Sequence, residues 1–346
     1  MGFVRELNDE DVQVSHAISL GADMKYSPFT RNDTRTNYFK SCFVEAQNGL
    51  DPYGDWTKFA VKMAQLNYLS ARFSFLVDEQ YYRKAYGDEA VDKRLFANLG
   101  CGKNWNHPFW TGFDGEVATD PKTGLHHVDF STGLALEVPD NTFHLVYCSH
   151  LLEHFNAHDG KRLVREMLRI LKPGGLIRVI TPDIMLFLEA YQQNNTFFFD
   201  KFLSNHWPQE GEIEQQFLYH FAAPVSSIFK NSDRDPLPST RVKEMFAQMP
   251  VEDALNKIIA LCEDFSSPYN PHINWYSADK LCQMLSACGF VDPKESRYCR
   301  SDAFVLRDPL VFDTTQSDAS VFVEARKPVL DDKSEQDYTT IEKPVS

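Results

Sequence analysis

No stretch of the chain approaches about 18 uninterrupted apolar residues, so no membrane-spanning helix is expected. A cysteine framework is missing too. The seven cysteines, at 42, 101, 148, 262, 282, 288 and 299, are an odd number without a single CxxC pair, which fits neither a disulfide scaffold nor a zinc ribbon, and they read as reduced thiols. Positive charge is in deficit: 35 Lys and Arg against 49 Asp and Glu leave a net charge of −14. Because binding to a nucleic-acid duplex is dominated by neutralising phosphates, this balance argues against nucleic acid as the main partner. The opening residues MGFVRELNDE hold no apolar signal-peptide core, and Glu6 stands where a myristoylation signal calls for Ser or Thr. A cytoplasmic protein is expected.

The composition is that of a globular protein, 43% hydrophobic and 13% aromatic with 27 Phe. At roughly 150 residues per domain, 346 residues leave room for one enlarged α/β domain or two ordinary ones. Residues 57–87 carry Phe59, Met63, Leu66, Leu69 and Phe73 near a 3.6-residue period and predict a helix that caps the neighbouring domain. From 94 the pattern changes. Short β-prone runs at 94–99, 109–114, 125–130, 143–149 and 175–182 surround DGKRLVREMLRILKPGG, whose apolar positions 163, 164, 167, 168 and 171 make one helical stripe stopped by Lys172-Pro173-Gly174-Gly175. Strands alternating with helices predict a mostly parallel sheet covered on both faces. Helical segments rich in Phe and Tyr extend to about 270, then come an amphipathic helix at 277–290 closed by Gly289 and a β-prone SVFVEARK at 320–327. The expected organisation is an N-terminal extension with a helical cap (1–90), the first half of an α/β domain (91–184), a helical insert serving as a candidate substrate lid (185–270), a closing helix and strands (271–327) and a polar tail (328–346).

The informative stretch is RLFANLGCGKN, an apolar run that stops at Gly100-Cys101-Gly102. Glycine at the carboxyl end of a first parallel strand lets a ligand approach the backbone without meeting a Cβ, and open α/β sheets bind nucleotide-type ligands at this edge. A tight turn is the competing reading. Asp114 and Asp129 then close the next two β-prone runs. The first suits a ribose diol, and the second an adenine amine with Phe130 against the base, although Asp is also common in loops and caps.

NLGCG, Asp114, VPDNTFHLVYCSHLLEHF at 138–155 and REMLRILKPGGLIRVITPD at 165–183 together resemble class I S-adenosylmethionine-dependent methyltransferases, most closely the type 11 group. The resemblance is strong over about 94–184 and loose over 272–327. It implies a Rossmann-like fold with a seven-stranded, mostly parallel sheet and a reversed last strand, elaborated by the helical cap and insert. It also implies S-adenosylmethionine as cofactor. Asn98, Gly100, Cys101 and Gly102 would line its methionine and ribose side, Asp114 would hold the ribose hydroxyls, Asp129 and Phe130 would bracket adenine, and Ser149 and His150 would sit beside the sulfonium. Three positions depart from the pattern: Asn98 replaces an acid, Asn104 stands where a third glycine is usual, and His144 replaces an Asp.

For the acceptor side, His150, Glu153 and His154 share one face if a helix begins here. His150 is the expected base, with His154 behind it. Glu153 and His154 also read as a loop-bracing pair; as metal ligands they lack a third partner at a telling spacing, and no metal is predicted. His220 and His272 can reach the same mouth or simply pack among aromatics, and Trp207, Tyr219 and Trp275 can face a cation or belong to a core. The acceptor is expected to be a small molecule or a glycan-type metabolite, and the protein a monomer or homodimer. Two rivals remain: a nicotinamide-dependent oxidoreductase, which Trp105 in place of the last glycine of G-x-G-x-x-G opposes, and a cofactor-binding module without catalysis.

Overall fold

The computed structural model describes residues 79–329, apart from 106, 131–134, 204–210, 264, 266–269 and 309–310. The expected stripe from Phe59 to Phe73, Trp207 and most of the tail lie outside the described residues.

Seven strands form one sheet: β1 Phe96–Leu99, β2 Thr111–Asp114, β3 Leu125–His127, β4 Phe143–Ser149, β5 Leu171–Pro182, β6 Val291–Glu295 and β7 Ser320–Arg326. Their order is β3-β2-β1-β4-β5-β7-β6, with β7 antiparallel to both neighbours. The expected Rossmann-like sheet with its reversed last strand is therefore what forms. The chain steps outward from β1 to β3 and then returns to place β4 on the other side of β1, so a crevice opens where the ends of β1 and β4 diverge.

Alternation along the strands builds two cores. Ala97, Leu99, Val146, Cys148, Ile177, Val179, Val321 and Val323 face the helices Ala157–Ile170 and Ala278–Ala287, which answer with Leu163, Val164, Met167, Leu281 and Leu285. Asn156 caps the first helix by accepting from Asp159 N at 2.9 Å, and Ser277 caps the second from Lys280 N at 3.3 Å. Phe96, Leu145, Leu176, Ile180 and Phe322 point the other way, against Tyr82, Trp110, Leu306 and Phe312. Each fully buried aliphatic side chain contributes about 1.5–3 kcal/mol. In this second face Arg178 is wholly buried. It bonds both Asp313 oxygens (3.0 and 2.6 Å) and Glu324 Oε1 (2.9 Å), tying the middle of the sheet to the loop before β7.

Three boundaries differ from the sequence reading. β3 ends at His127 rather than 130, because it is an edge strand paired only with β2. β5 starts at Leu171, directly after the helix, and its register against β4 shifts between Phe143 and Leu145, so the Lys172–Gly175 stop signal is also a bulge. A Cβ at Gly175 would lie 2.8 Å from Lys172 O and 2.9 Å from His144 O, which is why glycine is required there. β6, Val-Asp-Pro-Lys-Glu, carries no β-prone pattern and forms an exposed edge whose proline and charges discourage further pairing.

Helices Ile184–Gln192, Thr196–Leu203, Ile213–Tyr219, Ser239–Gln248 and Val251–Ile259 form a separate layer. Phe187, Phe199, Phe217, Phe221 and Leu255 fill its own core, so most of the aromatic surplus of this region is packing.

Candidate functional site

Beyond Leu99 the chain turns through Gly100 and Gly102, each at φ +72°. Gly100 N donates to Phe113 O at 2.8 Å, and Gly102 N donates to Asp114 Oδ2 at 2.7 Å. Glu116 N takes the other oxygen of Asp114 at 2.8 Å. The carboxylate is thus fixed by two backbone donors, and about two of its four lone-pair sites remain for a ligand. The two glycines are required for different reasons. A Cβ at Gly100 would meet Leu151 Cβ at 3.0 Å, whereas one at Gly102 would meet nothing within 4 Å; there the left-handed backbone alone selects glycine, and the space above is open.

Asn98 and Ser149 lie beside this turn, since β1 and β4 pair Asn98 with Tyr147 and Leu99 with Cys148. Asn98 Oδ1 and Ser149 Oγ are buried with no hydrogen-bond partner among the described residues. Burial, with Asp114 adding, pushes the Cys101 thiol up to about 12, which leaves it neutral and its backbone the useful part. Asp129 is exposed two residues past β3, and half-buried Phe130 stands edge-on to Phe155 with ring centres 6.3 Å apart. An open cradle, orphaned acceptors and a fixed carboxylate form a set that fits a ligand carrying amines and a ribose diol.

The end of β4 is built differently. An α-helix does not begin at His150: that residue takes φ +52°, a short 3-10 turn covers Leu152–His154, and the α-helix starts only at Ala157. The turn nevertheless brings His150 Nδ1 to 3.1 Å from Glu153 Oε1, while His150 Nε2 lies 2.9 Å from Ser320 Oγ. Close as it is, that contact is an ion-pair distance, and among the described residues neither oxygen of this 1%-exposed carboxylate accepts a well-formed hydrogen bond.

Residues 271–276 pack against this turn through Ile273 N to Glu153 O (2.9 Å), Asn274 Nδ2 to Phe155 O (3.1 Å) and Tyr276 Oη to Leu152 O (3.4 Å). They carry His272, whose Nε2 is 4.0 Å from Glu153 Oε1 and whose Nδ1 is 2.9 Å from His220 O. His154 stacks edge-on to His272, ring centres 4.9 Å apart, with its Nδ1 3.3 Å from Pro271 O. Burial alone would raise the Glu153 carboxyl, but His150, then His154 and His272, outweigh it and hold it at about 2. Burial pulls His272 down to about 4, helped by His154, and His220 down to about 3, helped by His272. Glu153, His220, Phe187 and Trp275 line a small pocket between the sheet and the helical layer.

All five titratable groups singled out in the sequence, His150, Glu153, His154, His220 and His272, thus meet in one corner. Trp275 does not await an external cation: Lys280 Nζ sits 3.6 Å from its ring centre, and its indole N–H donates to Asn256 Oδ1. Tyr219 is part of the helical layer, near Phe229. Ser320 went unread because it opens an ordinary β-prone run, and only the sheet order places it against His150.

Residues 98–179 match the family model described as a methyltransferase domain, from Asn98 through the glycine turn and the His150–His154 corner into β5. The matched segment thus carries both the glycine turn and the His150–His154 corner, and it spans the first five strands of the sheet only from within β1 into β5. Among curated proteins, a probable methyltransferase of Aspergillus luteorubrus is 41% identical over 66 residues, 18% of this chain and 23% of the relative. A ubiquinone/menaquinone biosynthesis C-methyltransferase of Pseudoalteromonas translucida is 29% identical over 134 residues, 38% and 49%. The chain therefore spans between about a quarter and a half of the length of these curated relatives. Among solved structures, an S-adenosylmethionine-dependent methyltransferase of Mesorhizobium loti is 16% identical, covering 72% of this chain and 97% of that one at a TM-score of 0.33. Among the described residues no helix is long and apolar enough to cross a membrane.

Proposed function

We propose that the protein is an S-adenosylmethionine-dependent methyltransferase acting on a small molecule or sugar-containing metabolite by direct in-line transfer, in the reducing cytoplasm. The carrying observation is the open turn above Gly102 beside the fixed Asp114 carboxylate, inside the family-matched segment. In this reading Asn98, Gly100, Cys101 and Gly102 line the methionine and ribose side, Asp114 accepts from the ribose hydroxyls, Asp129 and Phe130 bracket adenine, and Ser149 lies beside the sulfonium. The cofactor, when bound, supplies an electrophilic methyl group. The chain's own task is to align the acceptor with the methyl and exclude water at the end of β4. His150 takes the acceptor proton on Nε2, exchanging Ser320 for the acceptor hydroxyl, while Glu153 at Nδ1 stabilises the imidazolium. His154 stands behind as a weaker candidate. The acidic surface favours a small acceptor over nucleic acid.

Parallel calorimetric titration with S-adenosylmethionine, S-adenosylhomocysteine and NAD tests the reading. Binding of the first two alone is expected. Binding of NAD alone would transfer the turn to an oxidoreductase, and silence from all three would leave a domain without its cofactor.

A further inference from the structure

We propose that Glu153, His154 and His272 form a binding site for a divalent transition-metal ion. The inference goes beyond methyl transfer and does not depend on it. One ligand atom from each of the three side chains lies within 4.8 Å of the others. Around an ion held at about 2.1 Å, neighbouring donors sit roughly 3–3.5 Å apart, so closing on the ion requires the three to draw in by about 1 Å. Glu153 and His154 belong to a short turn and His272 to a facing loop, joined by the Ile273 N to Glu153 O bond, which keeps that movement small.

The surrounding hydrogen bonds fix which atoms are available. His272 places Nδ1 against His220 O and His154 places Nδ1 against Pro271 O, so each ring spends its N–H on a backbone carbonyl and keeps the Nε2 lone pair. Anchoring the far nitrogen in this way is what orients imidazoles toward metals. The independent observation is the Glu153 carboxylate: it is 1% exposed, and both oxygens lack a hydrogen-bond partner among the described residues. A buried anion in that state needs a cation close by, and His150 Nδ1, 3.1 Å from Oε1, covers one oxygen only. His220, whose buried Nε2 has no hydrogen-bond partner among the described residues, lines the same pocket. Two imidazoles and one carboxylate suit Zn²⁺, Mn²⁺ or Fe²⁺ rather than Mg²⁺ or Ca²⁺, which take oxygen donors. Three protein ligands leave a coordination position for an oxygen from the pocket.

The test uses the full chain, stripped with chelator and titrated with Zn²⁺ by calorimetry and with Co²⁺ by visible absorption. One equivalent is expected to bind, with His272→Gln and His154→Gln each weakening Zn²⁺ affinity at least tenfold. His158→Gln, an exposed position outside the cluster, should leave affinity unchanged. Zn²⁺ should also raise the thermal midpoint of the parent but not of the two ligand variants. Absence of binding by the folded parent, or unchanged affinity in both ligand variants, would overturn the proposal. Should a variant fail to fold, the Co²⁺ complex of the parent still decides: d–d bands without a thiolate charge-transfer band support the site, and such a band would move the ion to a cysteine and sink it. Loss of S-adenosylmethionine binding with metal binding intact would count against the methyltransferase reading alone.

Discussion

The ends of β1 and β4 are neighbours in the sheet, yet they are made by opposite means. At β1 the backbone does the shaping: two left-handed glycines, their N–H groups spent on Phe113 O and Asp114, and a neutral thiol between them. At β4 titratable side chains are brought together, and Glu153 and His220 keep buried polar atoms without hydrogen-bond partners among the described residues. The difference teaches where tolerance lies. A backbone cradle depends on a few residues close in sequence, whereas the histidine corner depends on four segments arriving together, from the end of β4, from the end of helix Ile213–Tyr219, from 271–276 and from the start of β7.

The largest expected effect breaks the β4 side. His150→Ala should lower turnover by about 100-fold or more, in the range of a lost general base, while S-adenosylmethionine affinity changes little. Single-turnover rates beside calorimetry would separate the two, and an unchanged rate removes His150 as base. Next is the β1 side, where Asp114→Ala should weaken cofactor binding by roughly 100-fold, the worth of about two charge-assisted hydrogen bonds. A variant that binds as tightly as the parent would undo that assignment.

Acid should distinguish the two ends without mutation. His220 and His272 are held at about 3 and about 4, below the ordinary value near 6.5. Below pH 6.5 the unfolded chain takes up these protons and the folded chain does not. Stability is therefore full above about pH 6.5 and declines as pH falls toward 4, on the order of 3 kcal/mol for each histidine. Glu153, held at about 2, adds a loss of its own only as pH falls from about 4.5 toward 2. Urea midpoints at pH 7, 5.5 and 4 for the metal-free protein check this, and His272→Gln should flatten the profile. The smallest effect separates the two glycines. Gly100→Ala should cost about 2–3 kcal/mol, from left-handed strain plus contact with Leu151, and Gly102→Ala about 1 kcal/mol from the backbone alone. Equal losses in denaturant melts would refute the distinction.

The same contrast explains what was legible in the sequence. The glycine turn, Asp114, the stripe of Ala157–Ile170 and its Lys172–Gly175 stop are local patterns, and each could be read from contiguous residues. His150 and Glu153 were within reach because they are three apart. The arrival of His272 was not, since no spacing links it to His154 and only the packing of 271–276 on the turn creates the pair. β6 was invisible because it is held by pairing with β7 and not by propensity. Trp275 stayed open between a cation partner and a core place for a related reason: the Lys280 amine that meets its ring is five residues on but reaches back from a helix whose position the sequence does not specify.

β7 does more than complete the sheet. Its first residue, Ser320, touches His150; its fifth, Glu324, holds Arg178; and it lies between β5 and β6. During synthesis the residues of the glycine turn and Asp114 emerge early, but the histidine corner waits for a strand that begins 170 residues after His150. A nascent chain halted before Ser320 would thus hold both glycines and Asp114 but lack the partner of His150 Nε2 and the Glu324 anchor of Arg178.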